Sequence, residues 1–148
     1  MRSLKGLGMT LTAPSPLAAS ALVAAGGAVG AVARYQLGRL VTSVISSRAA
    51  ETFPWGTLSV NLIGSLLMGG LLGWFARPGI SSETAETMRL LIGVGLLGGF
   101  TTFSAFSAEM VTMLHRGQMV DALLYGSVSL VAGMAALAAG LVIAQSMS

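Results

Sequence analysis

Four long apolar segments constrain the fold of this chain more than any other feature. They cover residues 17–44, 55–75, 88–114 and 120–145. A membrane-spanning helix needs about 20 consecutive, mostly apolar residues, so each segment is long enough to cross a bilayer. Charged residues make up only 9% of the chain, against roughly 25% in soluble domains. The sequence therefore predicts an all-α integral membrane protein with four spans in a single domain, residues 1–148.

The segments that flank the spans are short. Residues 1–16 are predicted to be a flexible leader. They resemble a signal peptide only superficially, because the apolar segment that follows continues past Arg34 instead of ending at a small-residue cleavage site. Pro54 directly precedes the second span, where proline suits the start of a helix. Residues 77–83 contain the most turn-like sequence between spans.

The charged residues exclude some function classes but leave the orientation open. Near the span ends the basic residues divide almost evenly between the two sides, with Arg2, Lys5, Arg77 and Arg89 on one and Arg39, Arg48 and Arg116 on the other. A cytoplasmic excess normally sets the topology. The chain therefore either has a fixed topology that this count misses or inserts in both orientations and pairs antiparallel. Basic residues this scattered suit anionic lipid headgroups, and no nucleic-acid partner is expected.

The third apolar segment is interrupted by the sequence GGFTTFSAFS at residues 98–107. Gly98 and Gly99 are poor helix formers and Thr101 and Thr102 are β-branched, so a break in the third helix is predicted near Gly98–Thr102. Backbone carbonyls freed at membrane depth must face protein, water or an ion, and in broken transporter helices they coordinate Na⁺. The alternative is a kinked packing helix whose threonines bond their own backbone.

Polar residues on the second and fourth spans occur at helical spacing. Thr57 and Asn61 are four residues apart and share one helix face, and Tyr125 and Ser129 do the same on the fourth span. Their hydroxyl and amide groups could donate hydrogen bonds to an anion. Asn61 could equally form a hydrogen bond between helices, and serine in a membrane helix often bonds its own backbone. Both interpretations remain open for each pair.

Three further residues of the third span and one of the first are candidates for function. Phe103, Phe106 and Glu109 follow one another at intervals of three. The positive edge of an aromatic ring can contact an anion, although packing is the commoner role for such a pair. An acid near a helix end is usually solvated. Arg34 is the one cation well inside an apolar run, and we favour a snorkelling anchor over a source of positive potential.

Three motifs occur in order along the chain: GGAVGAVARY at 26–35, WGTLSVNLIGSLLMG at 55–69 and GLLGGFTTFSAFSAE at 95–109. Together they resemble the Fluc family of fluoride channels, also called the CrcB family, over nearly the whole chain. The resemblance implies a homodimer of four-helix subunits inserted antiparallel in the lipid bilayer, with two narrow fluoride pores along the dimer interface. It also implies a multi-pass protein of the plasma membrane, in particular the bacterial inner membrane.

The resemblance also implies the site residues. A central structural Na⁺ would be held by the backbone carbonyls of Gly98 and Thr101 from each subunit. The fluoride pathway would be formed by Asn61, Phe103, Phe106, Ser104, Thr57, Glu109, Tyr125 and Ser129. The chain departs from the family pattern at Ala105, where threonine is frequent, and at Gly133, where some members carry a hydroxyl.

Other classes fit the residues less well. A small multidrug-type proton-coupled exporter is also a dimer of four-helix subunits, but it needs an acid in the first span, which here has Arg34 and no carboxylate. A non-transporting assembly subunit would leave the polar pattern unexplained. An enzyme is the least favoured, because the single histidine, His115, has no partnered nucleophile or metal cluster and the chain has no cysteine.

Overall fold

The computed structural model describes residues 14–45 and 53–147, and these residues form helices without any strand. The helices are α1 (Pro16–Val44), α2 (Trp55–Phe75), α3 (Ser82–Met88), a π-helical segment (Arg89–Leu97), α4 (Gly98–Phe100), α5 (Phe103–His115) and α6 (Met119–Ser146). The third span consists of α3, the π-helical segment, α4 and α5. Within these two ranges, four segments are long and apolar enough to cross a membrane, which confirms the four predicted spans. Residues 1–13 of the predicted leader lie outside the described residues.

Local sequence explains where the helices begin and turn. The Ser15 hydroxyl accepts a hydrogen bond from the Ala18 N–H, and Pro16 occupies the first turn of α1. The third span begins at Ser82, not at residue 88 as predicted, because the Ser81 hydroxyl caps α3 by accepting from the Thr84 N–H. The turns that follow α2 and α5 each contain a glycine with positive φ, Gly79 and Gly117, a conformation that favours glycine.

The first and third spans pack backbone against backbone. A Cβ atom added at Gly26 would collide with the Leu91 carbonyl, and one added at Gly30 with the Leu96 carbonyl. Residue numbers rise together along the two spans, so the spans are parallel. Because lipid provides no hydrophobic driving force between helices, this close approach is a main source of packing energy.

The second and fourth spans are also parallel and in close contact. A Cβ atom at Gly69 would collide with the Leu137 carbonyl, and one at Gly73 would lie 2.8 Å from the Leu141 carbonyl oxygen. From the opposite helix, Gly140 approaches the Leu66 carbonyl in the same way. α2 and α6 therefore converge toward their C-terminal ends, and side chains separate them only nearer their N-terminal ends.

A cluster of buried side chains holds α5 against α2 and α6 at that wider end. Tyr125 and Ala122 of α6 are fully buried, and Leu58 of α2 and Met113 of α5 are each 6% exposed. Phe106, in the first turn of α5 after the break in the third span, packs against this cluster. The cluster fixes α5 beside the polar residues of α2 and α6, which is where the candidate site lies.

The Gly140 contact gives a stability prediction. We expect Gly140→Ala to lower the melting temperature in detergent, because its Cβ must push apart the α2 and α6 backbones, an overpacking cost of about 1–3 kcal/mol. The matched control is Gly70→Ala, since an added Cβ there meets nothing within 4 Å. Equal melting temperatures for the two variants, measured by thermal unfolding, would contradict the close α2–α6 packing.

Candidate functional site

The break in the third span lies at Thr101 and Thr102, which both have extended backbone conformations (φ −84°, ψ 163° and φ −152°, ψ 122°). The Thr102 hydroxyl caps α5 by accepting from the Ala105 N–H at 3.2 Å, as expected for threonine at an N-cap. The predicted break is therefore present, but Gly98 and Gly99 remain helical. Gly99 serves close packing instead, since a Cβ there would lie 2.6 Å from the Gly27 carbonyl oxygen.

Asn61 holds the broken backbone with both ends of its amide group. Its Oδ1 accepts from the Thr102 N–H at 2.9 Å, and its Nδ2 donates to the Thr102 carbonyl at 3.1 Å. Among the sequence interpretations of Asn61, the hydrogen bond between helices is the one observed. A carboxamide nitrogen carries two hydrogens, and within residues 14–45 and 53–147 only one of those of Asn61 has an acceptor.

The break leaves carbonyl oxygens without helical donors. The Thr102 N–H donates to Asn61 instead of the Gly98 carbonyl four residues earlier, so Gly98 loses its helical partner. The Thr101 carbonyl accepts a long hydrogen bond of 3.4 Å from Nη1 of Arg34. No group of three His, Cys, Asp or Glu side chains that could hold a metal occurs among the described residues. A cation at this position would therefore have backbone oxygens as ligands.

Arg34 does not act as the snorkelling anchor at a span end that the sequence favours. It lies within α1 and points toward the break, because the close α1 contact with the third span brings the two together. It also lines a cavity of about 420 Å³, called here the Arg34 cavity, whose other lining residues include Thr57, Thr102 and Glu109. Among the described residues that line the Arg34 cavity, one is cationic, Arg34, and one is acidic, Glu109.

Glu109 is hydrogen-bonded to two hydroxyls from two other helices. The Thr57 hydroxyl of α2 donates to its Oε1 at 2.6 Å, and the Tyr125 hydroxyl of α6 donates to its Oε2 at 2.7 Å. The expectation of a solvated acid at a helix end is therefore wrong. Both carboxyl oxygens have a neutral donor, so the group joins α2, α5 and α6 at one point.

Aromatic rings form a continuous row from the break to Tyr125. The ring centroids of Phe103 and Phe106 are 5.8 Å apart, and those of Phe106 and Tyr125 are 5.1 Å apart. Phe103 is 79% exposed, whereas Phe106 is half-buried against the core cluster. The two phenylalanines thus differ in role within one chain: Phe106 packs inside, and Phe103 projects from the surface.

A second cavity of about 390 Å³, called here the Phe106 cavity, lies between α2, the break and α6. Its lining includes the polar or aromatic residues Asn61, Ser65, Thr101, Thr102, Phe103, Phe106 and Ser129. None of the described residues that line it is charged. The Ser129 hydroxyl oxygen is buried beside this cavity and has no hydrogen-bond partner in the described part of the chain.

The structure divides the predicted pathway residues between the two cavities. Asn61, Phe103, Phe106 and Ser129 line the Phe106 cavity, and Thr57 and Glu109 line the Arg34 cavity. Tyr125 connects them through its bond to Glu109. Ser104 lines neither: it is exposed, with its hydroxyl 3.2 Å from that of Thr102. Ser65 was missed, although it continues the four-residue spacing of Thr57 and Asn61.

The Asn61 contacts predict a local effect of mutation. We expect Asn61→Ala to speed amide hydrogen exchange at residues 101–103 by about tenfold or more, because Thr102 loses both hydrogen bonds and a buried unpaired backbone group costs about 1–3 kcal/mol. Exchange along α6 should be unchanged. Hydrogen exchange with mass spectrometry checks this, with Ser59→Ala on the same helix as control. Unaltered protection at the break would mean that Asn61 does not hold it.

Comparisons with known proteins show to which family the chain belongs. Residues 21–141 match the family model described as CrcB-like protein, Camphor Resistance (CrcB). A relative from Novosphingobium aromaticivorans is 50% identical over 84% of this chain and 94% of its own length. One from Erythrobacter litoralis is 49% identical over 86% and 93%, and one from Sphingopyxis alaskensis is 50% identical over 82% and 90%.

All three relatives are bacterial, and each is named as a fluoride-specific ion channel, FluC. These names agree with the expectation that the chain is not an enzyme. With its four apolar helices, the chain is a multi-pass membrane protein of the bacterial type. Because the family model covers most of the sequence and the relatives are about half identical, this chain belongs to the CrcB family.

Proposed function

We propose that the chain is a fluoride-selective channel that lets cytoplasmic fluoride leave the cell passively. The observation that carries the proposal is the Phe106 cavity, which presents neutral hydrogen-bond donors and aromatic rings inside a membrane protein and has no charged residue among its described lining. The names of the relatives support fluoride as the ion. The exporter and assembly classes have no comparable support.

The cavity offers the kind of contacts that a small, strongly hydrated anion needs. Fluoride must exchange its water for several donors, and binding must stay weak enough for release. The free N–H of Asn61, the unpartnered hydroxyl of Ser129 and the ring edge of Phe106 supply such contacts without a full positive charge. A membrane potential of 100 mV, negative inside, favours exit of each anion by about 2.3 kcal/mol.

An antiparallel homodimer is part of the proposal. In a single chain, Phe103 and the Ser104 hydroxyl are exposed beside the broken backbone. Irregular backbone at membrane depth is tolerated only where protein buries it or water reaches it. A second copy placed over the break would cover it and would complete two pores, one on each side. The even distribution of basic residues is compatible with insertion in both orientations.

A structural Na⁺ at the dimer centre also fits these residues. The Gly98 carbonyl has lost its helical donor, and carbonyl oxygens are suitable ligands for a hard cation. The Thr101 carbonyl has a second lone pair beside its long bond to Arg34. Na⁺ held there by both subunits would satisfy oxygens that hydrocarbon cannot solvate. The ion need not move with fluoride.

A proton-coupled exporter is disfavoured by the state of Glu109. Both of its oxygens accept hydrogen bonds within the chain, whereas a proton carrier must exchange its proton with water and substrate. α1, the span in which such an exporter needs its acid, contains no Asp or Glu. Passive movement of an anion requires neither an acid in α1 nor a carboxyl group that exchanges protons.

Fluoride release from proteoliposomes tests the function. We expect wild-type protein to release fluoride rapidly and chloride at background rate, and Phe106→Ile to reduce fluoride release by at least tenfold, because the ring edge and its packing are lost. Phe75→Ile, at the far end of α2 against Trp74, is the matched control and should behave as wild type. Absence of fluoride release from well-folded wild-type protein would overturn the proposal.

Exchange of the cation tests the Na⁺ site. A ligand that binds only the folded dimer raises its stability with ligand concentration. We therefore expect the melting temperature of the purified protein to rise with NaCl but not with N-methylglucamine chloride at equal ionic strength. The same rise with both salts would show that ionic strength alone acts and would remove Na⁺ from the proposal.

A further inference from the structure

Two rows of residues run along the facing sides of α2 and α6, and part of each row lines the Phe106 cavity. Thr57, Asn61 and Ser65 are spaced by four along α2, and Tyr125, Ser129 and Gly133 are spaced by four along α6. The two helices are parallel, so the rows stay in register. Thr57 and Tyr125 donate to the same carboxyl group, Asn61 and Ser129 line the same cavity, and a Cβ at Gly133 would lie 3.7 Å from the Ser65 hydroxyl oxygen.

Ser65 is therefore the only hydroxyl at the third position of these paired rows, since Gly133 has no side chain. The missing side chain of Gly133 also leaves space in front of the Ser65 hydroxyl. One helix turn further, α2 and α6 come into backbone contact at Gly69 and Leu137. The Ser65 hydroxyl is thus the last polar group before the helices close together.

The hydroxyl of Ser65 has no hydrogen-bond partner in the part of the chain that the structure describes. Several helical hydroxyls here donate to the carbonyl four residues earlier, as do Thr42, Ser107 and Thr112. Ser65 makes no such bond and no other hydrogen bond among the described residues, although it lines the Phe106 cavity. A donor that lines a polar cavity and has no internal acceptor is available to a ligand.

We infer that Ser65 contacts the permeating anion and donates a hydrogen bond to it opposite Gly133. This inference rests on the proposed function, because it extends the same pathway by one position. The contact continues the sequence of neutral donors from Asn61 and Ser129 toward the end of the cavity. In this chain α2 supplies the donor at the third position, where α6 has none.

The first test compares Ser65→Ala with Ser59→Ala in the fluoride-release assay. A hydrogen bond to an ion stabilises the ion in the pathway, and its loss should slow fluoride release by about tenfold. Ser59 lies on another face of α2 and lines neither cavity, so its variant should release fluoride as wild type. A wild-type rate for Ser65→Ala would overturn the inference, whereas lack of release by the wild-type protein would overturn the proposed function itself.

The second test moves the hydroxyl to the facing helix. A serine at position 133 fits, because its Cβ would be at ordinary contact distance from residue 65. We expect Ser65→Ala with Gly133→Ser to recover most of the fluoride rate. A folded double variant that stays slow would assign Ser65 a packing role and contradict the inference. If Ser65→Ala does not fold, Ser65→Cys, which has the same shape, is slightly larger and donates only weakly, should still be slow, and a wild-type rate would contradict the inference.

Discussion

The arrangement of this protein depends on the backbone groups that the third span exposes at Thr101 and Thr102. Hydrocarbon offers no hydrogen bonds, so each unpaired N–H or carbonyl at that depth costs several kcal/mol. The chain satisfies most of them from other spans, with Asn61 bonded to both backbone groups of Thr102 and Arg34 donating to the Thr101 carbonyl. The polar residues near the break therefore have a structural role, because they bond the broken backbone whether or not an ion is present.

Close glycine contacts make these bonds possible. Side chains as short as that of Asn61 reach a neighbouring backbone only if the helices are held near one another. Gly26 and Gly30 bring α1 against the π-helical segment, and Gly64 allows α2 to lie against Thr101. The Gly140 contact then fixes α6 to α2, so the positions of Asn61 and Ser129 relative to the break are set by packing elsewhere in the spans.

Much of the fold follows from local sequence, but the partners of its polar groups do not. Apolar length predicts the four spans, and two glycines followed by two β-branched threonines predict the break. Helical spacing groups Thr57 with Asn61, yet it cannot show that Glu109 binds Thr57 and Tyr125 or that Arg34 turns inward, since both depend on which helices meet. The predicted break is broader than the observed one because glycine both weakens a helix and allows close approach, and Gly98 and Gly99 stay helical. The family resemblance implies a set of pathway residues that does not include Ser65, whose position beside the Phe106 cavity is visible only in the structure.

The two cavities separate charged from neutral groups, and this separation bears on how the proposed channel treats fluoride. At the short distances of a narrow path, a full charge acts strongly in a low-dielectric site. A bare cation would hold the anion, and a bare carboxylate would repel it. Here Arg34 and Glu109 line one cavity, and Glu109 is bonded to two hydroxyls, while only neutral groups are described around the other. The charges of Arg34 and Glu109 therefore lie outside the Phe106 cavity, where neutral donors and ring edges can contact an anion without holding it.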